Sequence, residues 1–268
     1  MDRDRVISRD GTPIAYTRAG AGPVLVLVGG GLDDGAENAP LVPELAGDFT
    51  VLNYARRGRG ASGDTPPYAL EREFDDLAAL IAGAGGTAHL YGVSSGGALA
   101  LEAAAAGVGG IDRIAVYEVP YNLRADWPPR WLRYRDELAE ELGQGRLDAA
   151  FAAFLRVTGT PEQEIRAFLD SPAWPGLRDL VPSLAHDAAC LGDGRPPVQR
   201  LARITRPVLV LTGGGHGPDA PEWVVGLDAA ADAIAAGLAH ADRLTLAGQT
   251  HVADPKAVAD VLRRFLAG

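Results

Sequence analysis

Short apolar runs that alternate with helical patterns constrain the fold of this chain more than any other feature. Each run is almost continuously apolar, which is typical of strands covered on both faces of a parallel sheet. Strands are predicted at residues 23–28, 50–54, 88–92, 111–118, 207–212 and 242–247. Helices are predicted at residues 70–84, 96–106, 221–238 and 254–267. We therefore expect an α/β fold with a mostly parallel central sheet flanked by helices.

The beginning and the middle of the chain add two features to this sheet. The segment RVISRDGTPIAYTRA predicts an antiparallel β-hairpin, since its Asp-Gly pair supplies the positive φ that a tight turn needs. After the strand at 111–118, helical patterns continue over a stretch far too long for a loop. We expect a core of residues 1–120 and 201–268, and a helical cap (lid) inserted at residues 121–200.

Composition excludes several classes of protein. The formal net charge of −10 argues against a nucleic-acid partner and against a phosphate-binding surface. Cys190 is the single cysteine, which excludes a disulfide framework and a cysteine-built zinc site, so no metal is expected. The charged N-terminus lacks the apolar segment of a signal peptide, and no run reaches the length of a membrane span. A cytoplasmic monomer or homodimer without a membrane partner is therefore predicted.

The stretch HLYGVSSGGALALEAAAA carries the strongest chemical signal. Its Gly-x-Ser-x-Gly pattern follows a predicted strand and opens a predicted helix, the setting in which such a serine acts as a nucleophile. The spacing selects Ser94, because Gly92 and Gly96 are the small residues that let strand and helix approach each other. The backbone N–H of Ser95 lies at the helix N-terminus, where negative charge is favoured. The alternative is a tight turn with a purely structural role.

A serine nucleophile requires a base. His251, in LAGQTHVADP, lies in the loop after the last predicted strand and before the C-terminal helix, which is where this topology places the base. We therefore predict that His251 is catalytic.

The order of strands, nucleophile turn, inserted helices and terminal histidine resembles the α/β-hydrolase superfamily over essentially the whole chain, and in particular its cap-bearing members with a serine nucleophile. The loop YARRGRGASGDTPPY is similar to their Arg-Gly-x-Gly-x-Ser segment, although many members have an aspartate at the position of Ala55. The resemblance implies an α/β-hydrolase fold, a catalytic triad, and a reaction that needs no cofactor or metal.

The resemblance leaves two candidates for the acid of the triad. Most members carry an aspartate shortly after the strand at 207–212, but here His216 stands at that place and Asp219 follows it. Glu118, in VYEVPYNLR, follows the strand before it, and ligand sites lie at the carboxyl ends of such strands. Zearalenone lactonases have their acid in a similar segment at a similar separation from the nucleophile. We favour Glu118 and keep Asp219 as the alternative, which could instead cap a helix.

The glycine-rich stretch LVGGGLDDG is predicted to complete an oxyanion hole. By the resemblance, Gly31 supplies one backbone donor and Ser95 the other, while Gly30 and Leu32 contact the substrate. A phosphate-binding loop is the rival interpretation, but no Gly-Lys-Ser/Thr follows, and Asp33 and Asp34 would repel phosphate.

These residues together predict a two-step acyl transfer on a small-molecule ester or lactone. Aromatic residues of the cap could form an apolar pocket for a ring-bearing substrate, although ordinary packing is at least as good an explanation; they are Tyr121, Trp127, Trp131, Tyr134 and Trp174. A biosynthetic cyclase, lyase or acyltransferase on the same fold stays open, as does a ligand-binding receptor.

Overall fold

A single mixed sheet forms the centre of the molecule. The computed structural model describes residues 2–217 and 220–267. Its strands are β1 (Asp2–Ile7), β2 (Pro13–Ala19), β3 (Val24–Val28), β4 (Thr50–Tyr54), β5 (Ala88–Val93), β6 (Ile111–Tyr117), β7 (Val208–Gly213) and β8 (Ala241–Leu246). They lie in the order β1-β2-β4-β3-β5-β6-β7-β8. β2 is antiparallel to β1 and β4, and the remaining pairs are parallel, so the mostly parallel sheet and the N-terminal hairpin are confirmed.

Helices cover both faces of this sheet. In chain order they are α1 (Leu41–Leu45), α2 (Leu70–Gly83), α3 (Ser95–Ala105), α4 (Trp127–Gly143), α5 (Leu147–Val157), α6 (Glu162–Leu169), α7 (Trp174–Arg178), α8 (Leu184–Leu191), α9 (Val198–Leu201), α10 (Glu222–Val225), α11 (Leu227–Gly237) and α12 (Pro255–Leu266). The single helix expected at 221–238 is divided into α10 and α11 at Gly226, where glycine weakens a continuous helix.

Two hydrophobic clusters separate the faces of the sheet. Side chains of a strand point alternately to opposite faces, so Leu90 of β5 packs with α2 and α3, whereas Tyr91 and Val93 pack with α1 and α12. This coverage of both faces explains why the strands are almost continuously apolar in sequence.

Helices α4 to α9 all lie between β6 and β7, and we refer to residues 121–200 as the insertion. Its helix α8 packs against α3 and α4, so the insertion rests on the helix that begins at Ser95. No helix within the described ranges is long and apolar enough to cross a membrane.

The turn between β5 and α3 is among the most crowded places in the core. A Cβ atom added at Gly92 would stand 2.5 Å from the carbonyl oxygen of Gly96. A Cβ atom at Gly96 would overlap the backbone of Val28 and Gly29. Both glycines are therefore required by the close approach of strand and helix.

Gly92→Ala is expected to destabilise the protein by about 2 kcal/mol or more, because the added methyl group meets backbone that cannot move aside. Urea unfolding followed by circular dichroism measures this loss. The matched control is Gly143→Ala, at the end of α4, where a Cβ atom would meet nothing within 4 Å. An unfolding midpoint that is equal in Gly92→Ala and wild type would contradict the steric argument.

Candidate active site

Ser94 occupies a strained turn at the centre of the candidate site. Its φ of 55° and ψ of −128° lie outside the regions that non-glycine residues prefer, which costs about 1–3 kcal/mol. The turn is held from both sides, since the Ser94 N–H donates to Tyr117 O at 2.9 Å and the Gly97 N–H donates to Ser94 O at 3.0 Å. The surrounding sheet and helix therefore hold Ser94 in this conformation.

Glu118 follows β6 and, like Ser94, has a positive φ, at 48°. Its carboxylate is completely buried and accepts three hydrogen bonds. Oε2 lies 2.7 Å from His251 Nδ1, Oε1 lies 2.7 Å from His216 Nε2, and the Gly213 N–H donates to Oε1 at 2.8 Å. The carboxylate thus joins the ends of β6 and β7 to the loop that carries His251.

The charge of Glu118 is maintained by these contacts. Burial raises the pKa of the carboxyl group, but the hydrogen bonds from His251, His216 and Gly213 lower it by more, so that the pKa falls below its ordinary value. Glu118 is therefore ionised at neutral pH, and its bond to Nδ1 favours the tautomer of His251 whose Nε2 is free to accept a proton.

The loop that carries His251 is anchored next to Glu118. The Tyr117 hydroxyl donates to Thr250 O at 2.5 Å, which fixes the residue before the histidine. The Trp223 ring and the imidazole form a T-shaped contact at a centroid distance of 4.8 Å and an interplanar angle of 87°. In the described parts of the chain, no hydrogen bond joins the Ser94 hydroxyl to His251. In structures without substrate, such catalytic hydrogen bonds are commonly long and tighten when substrate binds.

One cavity of about 250 Å³ joins the separate parts of the site. Ser94, Ser95 and His251 line it together with Gly31 and Leu32 from the loop after β3. Gly30 packs against Ser94, because a Cβ atom there would stand 3.1 Å from Ser94 Cβ. The loop after β3, the turn at Ser94 and His251 therefore line one cavity.

The rest of the cavity wall is mainly apolar and comes largely from the insertion. Its apolar members are Leu32, Pro120, Trp131, Tyr134, Phe154, Leu184, Ala188, Leu191 and Trp223. Of the aromatic residues considered from the sequence, Trp131 and Tyr134 line the cavity. The other three, Tyr121, Trp127 and Trp174, are buried in the hydrophobic core outside this lining.

Among the residues at the site, His216, Trp223 and Asp187 were not given a role from the sequence. His216 stands where the resemblance places an acid, and that position was the available signal that it would meet Glu118. Asp219, the alternative acid, lies outside the described residues. No group of three or more histidine, cysteine or acidic residues that could hold a metal ion occurs within the described parts of the chain.

Comparison with known proteins agrees with this architecture. The model of the alpha/beta hydrolase family matches residues 24–261, and the chain belongs to this family. A pimeloyl-[acyl-carrier protein] methyl ester esterase of Xanthomonas campestris pv. campestris is 31% identical over 265 residues, which cover 92% of this chain and 96% of the relative. The chain is thus similar to a protein named as an esterase.

Two solved structures are similar over almost the full length. An alpha/beta hydrolase from Sphaerobacter thermophilus DSM 20745 is 44% identical, with a TM-score of 0.86, covering 98% of this chain and all of the other. A hydrolase from Pseudomonas aeruginosa PA01 is 25% identical, with a TM-score of 0.72, covering all of this chain and 99% of the other. The relatives support hydrolase activity for this chain.

Glu118→Gln is expected to reverse the tautomer of His251. A glutamine can keep its oxygen towards Gly213 and turn its NH2 group towards His251, and Nδ1 must then accept rather than donate. Two-bond ¹H–¹⁵N spectra of the histidine rings at pH 8 should show the proton of His251 on Nδ1 in wild type and on Nε2 in the variant. His89, which packs on Phe49 away from Glu118, serves as the internal control. An unchanged His251 tautomer would contradict the proposed hydrogen bond.

Proposed function

We propose that this protein is a serine hydrolase that cleaves an ester or lactone of a small apolar or ring-bearing substrate through an acyl-enzyme. The observation that carries the proposal is the combination of a strained, half-buried serine with a histidine on a buried carboxylate, both lining one cavity. Ser94 is the nucleophile, His251 the general base and Glu118 the acid that orients it.

The geometry supports a definite order of proton transfers. His251 Nε2 takes the proton of the Ser94 hydroxyl as Oγ attacks the substrate carbonyl, and the negative charge develops on the carbonyl oxygen. The backbone N–H groups of Gly31 and Ser95 bind that oxygen, and each such donor contributes about 3–4 kcal/mol of transition-state stabilisation. His251 then gives the proton to the leaving alkoxide, and a water molecule activated by His251 releases the acid.

The acid is assigned to Glu118 on its contacts. Its carboxylate lies 2.7 Å from His251 Nδ1, and its pKa is lowered, so it is charged when the imidazolium forms. His216 contacts the second oxygen and thereby supports Glu118 from the position at which the superfamily resemblance implies an aspartate. The position of Glu118 in the sequence resembles that of the acid in zearalenone lactonases.

The lining of the cavity favours a substrate with an apolar acyl or alcohol group. Its wall of tryptophan, tyrosine, phenylalanine and leucine side chains offers no fixed cation to a charged substrate, within the described residues that line it. Apolar burial at about 25 cal/mol per Å² would supply the binding energy. The methyl ester esterase similar to this chain is consistent with an ester as the bond that is cleaved.

Labelling with a fluorophosphonate tests the proposal directly. Wild type should gain one adduct by intact mass, and Ser94→Ala should gain none. Glu118→Gln should react about 10⁴-fold more slowly, because it holds the wrong tautomer of His251. Asp219→Asn, the matched control for the alternative acid, should react at the wild-type rate.

The second experiment measures turnover of a panel of esters and lactones and detects the free acid that is released. A folded wild-type protein that takes no adduct would refute the serine hydrolase and favour a ligand receptor on this fold. Labelling without release of free acid would favour a cyclase, lyase or acyltransferase. Slow reaction of Asp219→Asn with normal reaction of Glu118→Gln would move the acid to Asp219.

A further inference from the structure

A buried carboxylate of the insertion lies beside the proposed oxyanion hole and lines the same cavity. Asp187 belongs to α8, and its side chain is 9% exposed. Its Oδ1 accepts hydrogen bonds from Arg56 Nη1 at 2.8 Å, Arg59 Nη2 at 2.7 Å and Ser95 Oγ at 2.7 Å. A buried charge needs such partners, and Oδ1 has three of them, whereas Oδ2 is buried without a hydrogen-bond partner among the described residues.

We propose that Asp187 is a positioning residue that fixes both backbone donors of the oxyanion hole. The inference rests on the proposed function, because it concerns the hole that the reaction would use. It assigns to the insertion a role in the chemistry besides lining the cavity.

The first donor is fixed through Arg59. Its Nη1 donates to Gly30 O while its Nη2 is held by Asp187. In a trans peptide the C=O and the following N–H point in opposite directions. The hydrogen bond from Arg59 to Gly30 O therefore orients the N–H of Gly31 away from Arg59. Consecutive glycines have the greatest backbone freedom, and this peptide therefore needs an external anchor.

The second donor is fixed through the hydroxyl of Ser95. Ser95 is the first residue of α3, and its Oγ donates to the same oxygen of Asp187 that receives Arg59. One carboxylate oxygen therefore sets the position of the residue at 95 and, through Arg59, the orientation of the peptide at 30–31. The spacing of the two donors depends on Asp187.

The charges around Asp187 argue against a purely electrostatic role of this residue in the reaction. The carboxylate lies 3.4 Å from where a Cβ atom of Gly31 would stand, and negative charge so close to an oxyanion is unfavourable. Arg59 offsets Asp187, while Arg56 is also paired with Glu73 at 2.7 Å. Removal of the carboxylate should accelerate the reaction if its charge alone mattered, and should slow it if positioning matters.

The test is saturation kinetics of fluorophosphonate labelling, which gives kinact and KI for each variant. In Asp187→Ala, kinact should fall about 10- to 100-fold, the cost of a small misplacement of catalytic groups, while KI changes by less than about threefold. Asp187→Asn keeps an acceptor oxygen at the same place and should recover most of the rate. The matched control is Glu102→Ala, which breaks a partly buried ion pair between α3 and Arg200 of the insertion without touching the oxyanion loop. It should lower stability and leave kinact unchanged.

Two further variants keep the proposal testable if Asp187→Ala does not fold. Arg59→Lys keeps the charge but cannot bridge Gly30 O and Asp187 at once, and Ser95→Ala removes one hydroxyl. Each should lower kinact, and Ser95→Ala should have little added effect in the Asp187→Ala background, since both remove the same contact.

Several results would overturn the inference. They are an unchanged or raised kinact in Asp187→Ala, a change confined to KI, an equal loss of kinact in Glu102→Ala, or unchanged kinact in both Arg59→Lys and Ser95→Ala. In those cases wild type still labels at Ser94 and the proposed function stands. Wild type that takes no label would refute the function and this inference together.

Discussion

The Glu118 carboxylate is the interaction on which the site depends. It is buried at the end of β6 and receives a donor from β7, one from the loop after β7, and one from the loop after β8. These segments are far apart in sequence and lie side by side because the strands are parallel and adjacent. A buried carboxylate without donors would be too costly to keep ionised. The orientation of His251 and the stability of this edge of the sheet therefore have the same physical cause.

Much of this architecture could be predicted from the sequence. The apolar strands and the spacing of Gly92, Ser94 and Gly96 encode local structure, because strand burial and the steric limits of a tight turn act over a few residues. The structure confirms the α/β fold, and the described contacts bring Glu118 to His251 and place Ser94 on the same cavity. The functional roles of these residues stay predictions.

The parts that could not be predicted depend on contacts between distant segments. Nothing in the helical pattern of the insertion distinguishes Trp131, which lines the cavity, from Trp127, which is packed in the core one turn away. The contact of His216 with Glu118 cannot be predicted until β6 and β7 are known to be adjacent. Asp187 reads as an ordinary helical acid, since its partners Arg56 and Ser95 lie some hundred residues earlier in the chain.

The ion cluster around Asp187 also limits how this molecule can be recombined with its relatives. The insertion contributes one carboxylate to a cluster whose two guanidinium groups belong to the core. A chimera that exchanged residues 121–200 as a unit, without an acid at the same place, would leave Arg59 buried and lacking its counter-ion. The insertion is therefore continuous with the core in electrostatic terms, although in the chain it has the form of a removable module.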